Sequence, residues 1–263
     1  MEFLGYFFAI FIGFLMGLIG GGGSILGVPV FVYLFGFDAV TATSLSLFVV
    51  GITSLFGTID FLKQKKINYR TALLFGVPSV LGVLFSRRLV LPNLPHFIIN
   101  RWGITLTKDS FLLLLFSILM FISAWNMIKK KRRERFRANE ENNYTLLVSQ
   151  GLLVGIITGL VGAGGGFLIV PALVMLVRMP IKEAVGTSLF VIAVNSLIGF
   201  LSSLDKVETD WWFLLKFTLF SVIGVFIGVY VGKKIEGSKL KPLFGWIILV
   251  MGIFIIIKEL ALG

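Results

Sequence analysis

Cysteine is absent from the 263 residues, and histidine occurs once, at His96 between Pro95 and Phe97. Disulfides, thiolate nucleophiles and zinc sites built from His and Cys are excluded by ligand supply alone, and His96 reads as a solvated loop residue. Charge is scarce too: Asp, Glu, Lys and Arg make up 14% of the chain. The apolar stretches hold no pair of carboxylates arranged for acid–base or nucleophilic work, so no enzymatic activity, cofactor or metal is expected. Two glycine-rich runs are present, but neither is followed by Lys-Ser or Lys-Thr and neither follows a soluble strand, which argues against a nucleotide cradle.

What fills the chain is apolar. Hydrophobic residues make up 57% of it and the mean hydropathy is +0.99, more apolar surface than a soluble domain can bury. A helix needs about 20 residues to cross a hydrocarbon core of roughly 30 Å, and apolar runs of that order recur throughout, so membrane lipid is the expected surrounding. The net charge of +11 would suggest nucleic acid for a soluble protein. Here Lys and Arg stand in the short gaps between apolar runs, as cytoplasmic loop anchors do, and no nucleic-acid partner is expected. The first apolar stretch follows only Met1 and Glu2, without the basic segment or cleavage site of a signal peptide, and is expected to be retained.

The pattern predicts helices from Phe3 to Ile19, Ser24 to Phe35, Ala39 to Leu62, Arg70 to Leu89 and Ser110 to Ile128. A polar gap from Lys129 to Asn143 follows, too charged to pack or to enter lipid. Beyond it come Leu146 to Val161, Gly166 to Val177, Lys182 to Leu201, Trp211 to Val231 and Lys241 to Leu260. The order of lengths repeats, and at a spacing of 142 so do the residues: Gly13, Gly17, Gly20, Gly22, Gly23, Val28 and Pro29 meet Gly155, Gly159, Gly162, Gly164, Gly165, Val170 and Pro171. Thr43-Ser44-Leu45 is answered by Thr187-Ser188-Leu189, and Ser79-Val80-Leu81-Gly82 by Ser221-Val222-Ile223-Gly224. Two copies of one unit are implied, a first membrane repeat over 1–128, a linker over 129–143 and a second repeat over 144–263.

Charge suggests how they lie. The stretch from Phe3 to Phe35 is too long for one crossing at about 1.5 Å per residue; if it turns at its glycines, each half makes an odd number of full crossings. One side then collects Lys63, Lys65, Lys66, Arg70, the basic residues from Lys129 to Arg137, Arg178, Lys182, Lys233, Lys234, Lys239 and Lys241, which is seventeen. The other keeps Arg87, Arg88, Arg101, Lys108, Lys206 and Lys258, which is six. The positive-inside rule puts the first side in the cytoplasm, so the linker is cytoplasmic, both termini and the acidic cluster Asp205, Glu208 and Asp210 are outside, and the halves are inverted repeats. The expected fold is an all-α polytopic membrane protein, each repeat a glycine-broken helix pair, re-entrant or discontinuous, plus three transmembrane helices.

Gly20-Gly21-Gly22-Gly23-Ser24 and Gly162-Ala163-Gly164-Gly165-Gly166 are poor helix inside apolar stretches, and broken backbone at that depth requires a protein-lined cavity. The apolar segment after each elbow would turn its free N–H groups and positive dipole end into that cavity, a setting that attracts anions. Ser24, Thr43, Ser44, Thr187 and Ser188 are candidates to complete the shell, with Asn195 in addition. Structural alternatives exist: Gly13, Gly17, Gly155 and Gly159 form a small-residue face suited to helix packing, Pro29 and Pro171 can kink or cap their segments, and Thr and Ser hydroxyls can bond back to their own helices. Lys216 and Asp60 are the ionisable residues read within spans, and both are expected to reach toward an interface.

The doubled run from Gly17 through Pro29 with Thr43-Ser44, and from Gly159 through Pro171 with Gly186-Thr187-Ser188, resembles the TauE/SafE family of sulfite and organosulfonate exporters over essentially the whole chain. That resemblance implies a cytoplasmic-membrane transporter of a small sulfur-containing anion. Ala42 where the second half has Gly186, and the segment from Pro92 to Lys108 with no counterpart, depart from the repeat. The expected mechanism is alternating access about a midplane anion, with an anion channel or a membrane scaffold or accessory subunit as alternatives. The oligomeric state, the anion and any coupling ion are not assigned by the sequence.

Overall fold

The computed structural model describes residues 2–95, 97–101, 104–128, 144–176, 179–204, 210–235 and 237–262. His96, Asp205, Glu208 and the linker from Lys129 to Asn143 lie outside the described residues. The first half runs α1 (Glu2–Ile19), a 3-10 turn (Gly22–Leu26), α2 (Gly27–Tyr33), α3 (Ala39–Lys63), α4 (Tyr69–Phe85), a π turn (Ser86–Val90), α5 (Leu91–Asn93), strands β1 (Phe97–Arg101) and β2 (Ile104–Thr107), and α6 (Lys108–Ile128). The second runs α7 (Tyr144–Val161), α8 (Gly166–Leu176), α9 (Ile181–Leu201), α10 (Trp211–Lys234) and α11 (Gly237–Leu262). Among the described residues six helical stretches are long and apolar enough to cross a membrane, as a multi-pass membrane protein requires.

Helix starts follow local chemistry. Asp38 accepts from the Thr41 amide at 2.9 Å to begin α3, Asn68 from Thr71 at 3.0 Å to begin α4, and Asp210 from Trp212 at 2.9 Å to begin α10, each satisfying an amide that the helix leaves open. Asp210, read with the acidic cluster, is thus a cap.

Two expectations are corrected. The helix predicted from Ser24 to Phe35 is divided, because the glycines favour a tight 3-10 turn and Pro29, lacking an N–H, fits the first turn of a helix that begins at Gly27. The chain is also not wholly helical: β1 and β2 pair antiparallel, Asn100 opposite Thr105 and Arg101 opposite Ile104. Those strands are rich in Ile and Thr, which favour extended backbone, and they occupy the segment that has no counterpart in the second half.

The halves exchange partners. Helix α1 packs on α10 while α7 packs on α4, α10 packs on α3 while α4 packs on α9, and α3 with α9 and α6 with α11 form pairs across the halves. The outer glycines make these approaches. A Cβ added at Gly13 would meet the Ser221 carbonyl, with its carbon 2.7 Å away, and one at Gly155 would meet the Ser79 carbonyl at the same 2.7 Å. Gly17 lies against Val225 and Val229, and Gly159 against Val83 and Ser86. Packing therefore explains these four glycines.

Outside that core, α4 exposes Leu73, Val77, Leu81 and Phe85 in an i, i+4 row, and α10 exposes Leu215, Leu219, Ile223 and Ile227 at the corresponding places. Apolar side chains face outward and Ser and Thr face inward, the arrangement suited to lipid as solvent.

Candidate functional site

Both glycine elbows are fully buried. Gly20 and Gly21 have φ of 75° and 90°, and Gly162, Gly164 and Gly165 have 71°, 64° and 76°. Left-handed backbone of this kind strains any residue with a Cβ, which is why the chain can break here while staying packed. The elbows meet: a Cβ on Gly166 would strike the Gly21 carbonyl, 2.5 Å from its carbon and 2.8 Å from the Gly21 Cα. Each also touches the crossing helix of the opposite half, Gly162 against Thr43 (2.5 Å to its Cα) and Gly20 against Val185 (2.8 Å to its Cα).

The two elbows differ in the helix that follows them; in the first, as in the second, amides donate to no backbone carbonyl among the described residues, here those of Gly22 and Gly23. The second opens directly into α8, eleven residues long, with Gly165 O accepting from Leu168 and Ile169 at 2.9 and 2.8 Å. Among the described residues, the amides of Ala163, Gly164 and Gly165 donate to no backbone carbonyl. The first opens into the 3-10 turn, and Ser24 donates its amide to Gly21 O at 3.1 Å. Pro29 sits at the third position of the seven-residue α2, and Pro171 inside α8 removes the bond to the carbonyl four residues earlier.

The predicted hydroxyls divide. Ser24 is buried with its Oγ unpartnered. Thr43, against Gly162, donates to Val40 O at 2.8 Å. Ser44 donates to the same carbonyl at 3.1 Å. Ser188 donates to Gly20 O at 3.0 Å and so ties α9 to the first elbow. Thr187 instead accepts from the Asn68 amide at 3.0 Å, beside the start of α4; the residue that answers Thr43 in the elbow contact is Val185. Asn195 donates to Ser79 Oγ at 2.6 Å, joining α9 to α4, and its Oδ1 has no partner. Gly22 and Gly23 lie buried within the 3-10 turn. Asp60 pairs with Lys233 at 2.8 Å, and Lys216 is exposed on α10.

Polar groups beyond these gather in the same interior. Ser46, Ser54, Thr158 and Ser196 are buried with unpartnered hydroxyls; Thr158 lies against Gly165 and Ser196 against Gly164. A buried polar group without a partner costs about 1–3 kcal/mol.

The residue missed outright is Arg87. Counted from the sequence as an anchor on the outer side, it is 2% exposed. Its Nη1 donates to Ser44 Oγ at 2.9 Å, while Nε and Nη2 have no partner. A buried unpaired cation carries an effective penalty of several kcal/mol. A signal was available: Phe75, Ser79 and Val83 form an i, i+4 row on the face of α4 away from the lipid-facing row at Leu73, Val77, Leu81 and Phe85, and Arg87, in the π turn that continues α4, is the next position of that row.

A cleft at the lysine-rich end is lined by Lys66, Lys182, Lys233 and Asp60 and, toward the first elbow, by Gly17, Ile19 and Val185. At the position corresponding to Val229 in its wall, 142 residues earlier, stands Arg87.

A family model described as "Sulfite exporter TauE/SafE" matches residues 6–255. The chain is 28% identical to a "Probable membrane transporter protein" of Xylella fastidiosa, covering 95% of this chain and 93% of the relative. It is 26% identical to "Probable membrane transporter protein MJ0441" of Methanocaldococcus jannaschii, covering 94% of each. It is 28% identical to "Probable membrane transporter protein YunE" of Bacillus subtilis, covering 89% and 90%. No solved structure matches.

Proposed function

The chain belongs to the TauE/SafE sulfite exporter family, and from that premise we propose that this membrane transporter carries a small sulfur-containing anion, sulfite or an organosulfonate, out of the cell across the cytoplasmic membrane. The observation that carries the reading is the meeting of Gly21 and Gly166 in a buried junction between the halves. Two broken helices brought together in a polar interior suit a midplane substrate site. Gly20 to Ser24, Gly162 and Gly164 to Gly166, with Thr43, Ser44, Ser188 and Asn195 around them, are the proposed surroundings of the anion. Thr187, beside the start of α4, acts there through the joint it makes.

In this reading the halves are inverted repeats, the linker is cytoplasmic and both termini are outside. The cleft lined by Lys66, Lys182 and Lys233 is then the cytoplasmic entrance, where positive charge concentrates anions. Passage works by the halves rocking about the junction, with no covalent chemistry. An inside-negative potential favours export of the anion by about 2.3 kcal/mol per charge per 100 mV. The cleft is lined by none of the buried elbow residues, Gly20 to Ser24 and Gly162 to Gly166, and a cleft that stops short of the junction favours a carrier over an anion channel.

Counterflow in proteoliposomes tests the reading. Vesicles loaded with unlabelled sulfite are expected to accumulate radiolabelled sulfite transiently and saturably. Unitary conductance steps without counterflow would establish a channel instead, and absence of any flux with sulfite, thiosulfate, taurine, isethionate or sulfoacetate would refute transport of this substrate class.

A further inference from the structure

The geometry points to Arg87 as the charged group that binds the transported anion, gripping two oxygens of one oxoanion through its Nε and Nη2 beside the second elbow. The inference rests on the anion-transport reading above and names the residue that reading lacked.

Four observations converge on it. The first is the state of the guanidinium, 2% exposed, with Nε and Nη2 unpartnered. Among the described residues no carboxylate pairs with it: the ion pair present, Lys233 with Asp60, is at the lysine-rich cleft. Arginine stays protonated under all ordinary conditions, so its charge calls for an anion that the described fold does not supply.

The second is which donors remain. Nη1 is held by Ser44 Oγ at 2.9 Å, and that hydroxyl in turn donates to Val40 O at 3.1 Å. Ser44 is thereby a positioning residue that fixes the plane of the guanidinium. Nε and Nη2 carry parallel N–H bonds along one edge of the fork, the edge that meets two oxygens on a common atom. Sulfite, sulfonates and thiosulfate present such a pair; chloride does not.

The third is location. Ser44 follows Thr43, whose Cα lies against Gly162, and Ser86, which precedes Arg87, lies against Gly159. Thr43, next in the chain to Ser44, and Ser86, next to Arg87, thus touch the chain entering the second elbow, where the amides of Ala163, Gly164 and Gly165 lack backbone acceptors among the described residues and the eleven-residue α8 begins. A cation and a helix N-terminus side by side reinforce each other for one anion. The π turn from Ser86 to Val90 is the type of helix irregularity often found at functional sites.

The fourth is asymmetry. The two copies pack alike through corresponding valines, Gly159 on Val83 and Gly17 on Val225, yet the second copy has Val229, 6% exposed, where the first has Arg87. Packing at this position is therefore met by valine, and the arginine answers another requirement.

The test is equilibrium binding of sulfite, isethionate and chloride to the purified full-length protein, wild type against Arg87→Met and Arg87→Lys, with the melting temperature of each unliganded protein as a folding control. Wild type is expected to bind the oxoanions in preference to chloride. Arg87→Met should melt as a folded protein and lose oxoanion affinity by at least about tenfold, the loss of hydrogen bonds to a charged group. Arg87→Lys keeps a charge but no fork, so it should bind anions with a reduced preference for oxoanions over chloride. That change in selectivity would not follow from a merely structural role, and it serves alone if Arg87→Met does not fold. Wild-type affinity and selectivity retained in Arg87→Lys, or affinity retained in folded Arg87→Met, overturns the assignment while leaving anion transport standing. Wild type that binds none of the oxoanions overturns both.

Discussion

Replacing Gly166 by alanine isolates the junction between the elbows. Gly166 is helical and has no positive φ, so its Cβ brings no backbone strain of its own. The added carbon would stand 2.5 Å from the carbonyl carbon of Gly21 and 2.8 Å from its Cα, besides meeting the carbonyl oxygen. Carbon atoms pack at about 3.5–4.0 Å, so the elbows must part by about 1 Å. All three atoms are backbone, and no side-chain rotation relieves the contact. Overpacking costs about 1–3 kcal/mol, and a backbone clash belongs at the upper end of that range. With about 2–4 °C of melting temperature per kcal/mol for a chain of this size, a fall of about 5–10 °C is expected. Counterflow should fall below detection, because the site is opened by a large fraction of a hydrogen-bond length. Gly36→Ala is the control: Gly36 has φ 75° with open space around it, so it should cost about 1–2 kcal/mol through the backbone alone and leave counterflow intact. If Gly166→Ala melts and transports as wild type does, the elbows are not in functional contact and the junction argument fails.

Gly13→Ala and Gly155→Ala should destabilise equally, since both place a Cβ 2.7 Å from a carbonyl carbon of the crossing helix; melting temperatures that differ widely would show that the two interfaces are not equivalent. Lys182→Gln, at the cleft, should slow transport at low ionic strength and converge on wild type near 1 M salt, where the screening length is about 3 Å; a defect independent of salt would point to direct substrate contact. Asp60→Asn removes an exposed ion pair at 2.8 Å and should change stability by less than about 1 kcal/mol, as thermal melts would reveal. Asn195→Leu leaves Ser79 Oγ without its buried donor at 2.6 Å and should cost about 1–3 kcal/mol; a neutral melting temperature would mean that the α4–α9 joint is replaceable.

Much of the fold was legible locally. The stretches expected from Ala39 to Leu62, Lys182 to Leu201 and Trp211 to Val231 correspond to Ala39–Lys63, Ile181–Leu201 and Trp211–Lys234, because length and hydropathy are properties of the segment itself. The division after Gly21 was foreseeable as a break but not as a 3-10 turn, since the choice between the two depends on where Pro29 falls in the next helix. The strands at Phe97–Arg101 and Ile104–Thr107 were passed over because strands of five and four residues between helices carry little periodicity. Arg87 was misplaced for a different reason: a count of basic residues says which end of a helix a charge is near, and not which face it occupies.

The sequence by itself determined that this is a membrane protein of two related halves, each broken at its glycines, because hydropathy and the tolerance of glycine for left-handed backbone act residue by residue. Tertiary structure decided what those breaks touch. Gly21 reaches Gly166, and Arg87 reaches Ser44 across 43 positions, contacts that exist only once the helices cross. The two copies share much of one sequence pattern, and the exchange of arginine for valine between them acquires meaning from the burial that packing imposes on Arg87.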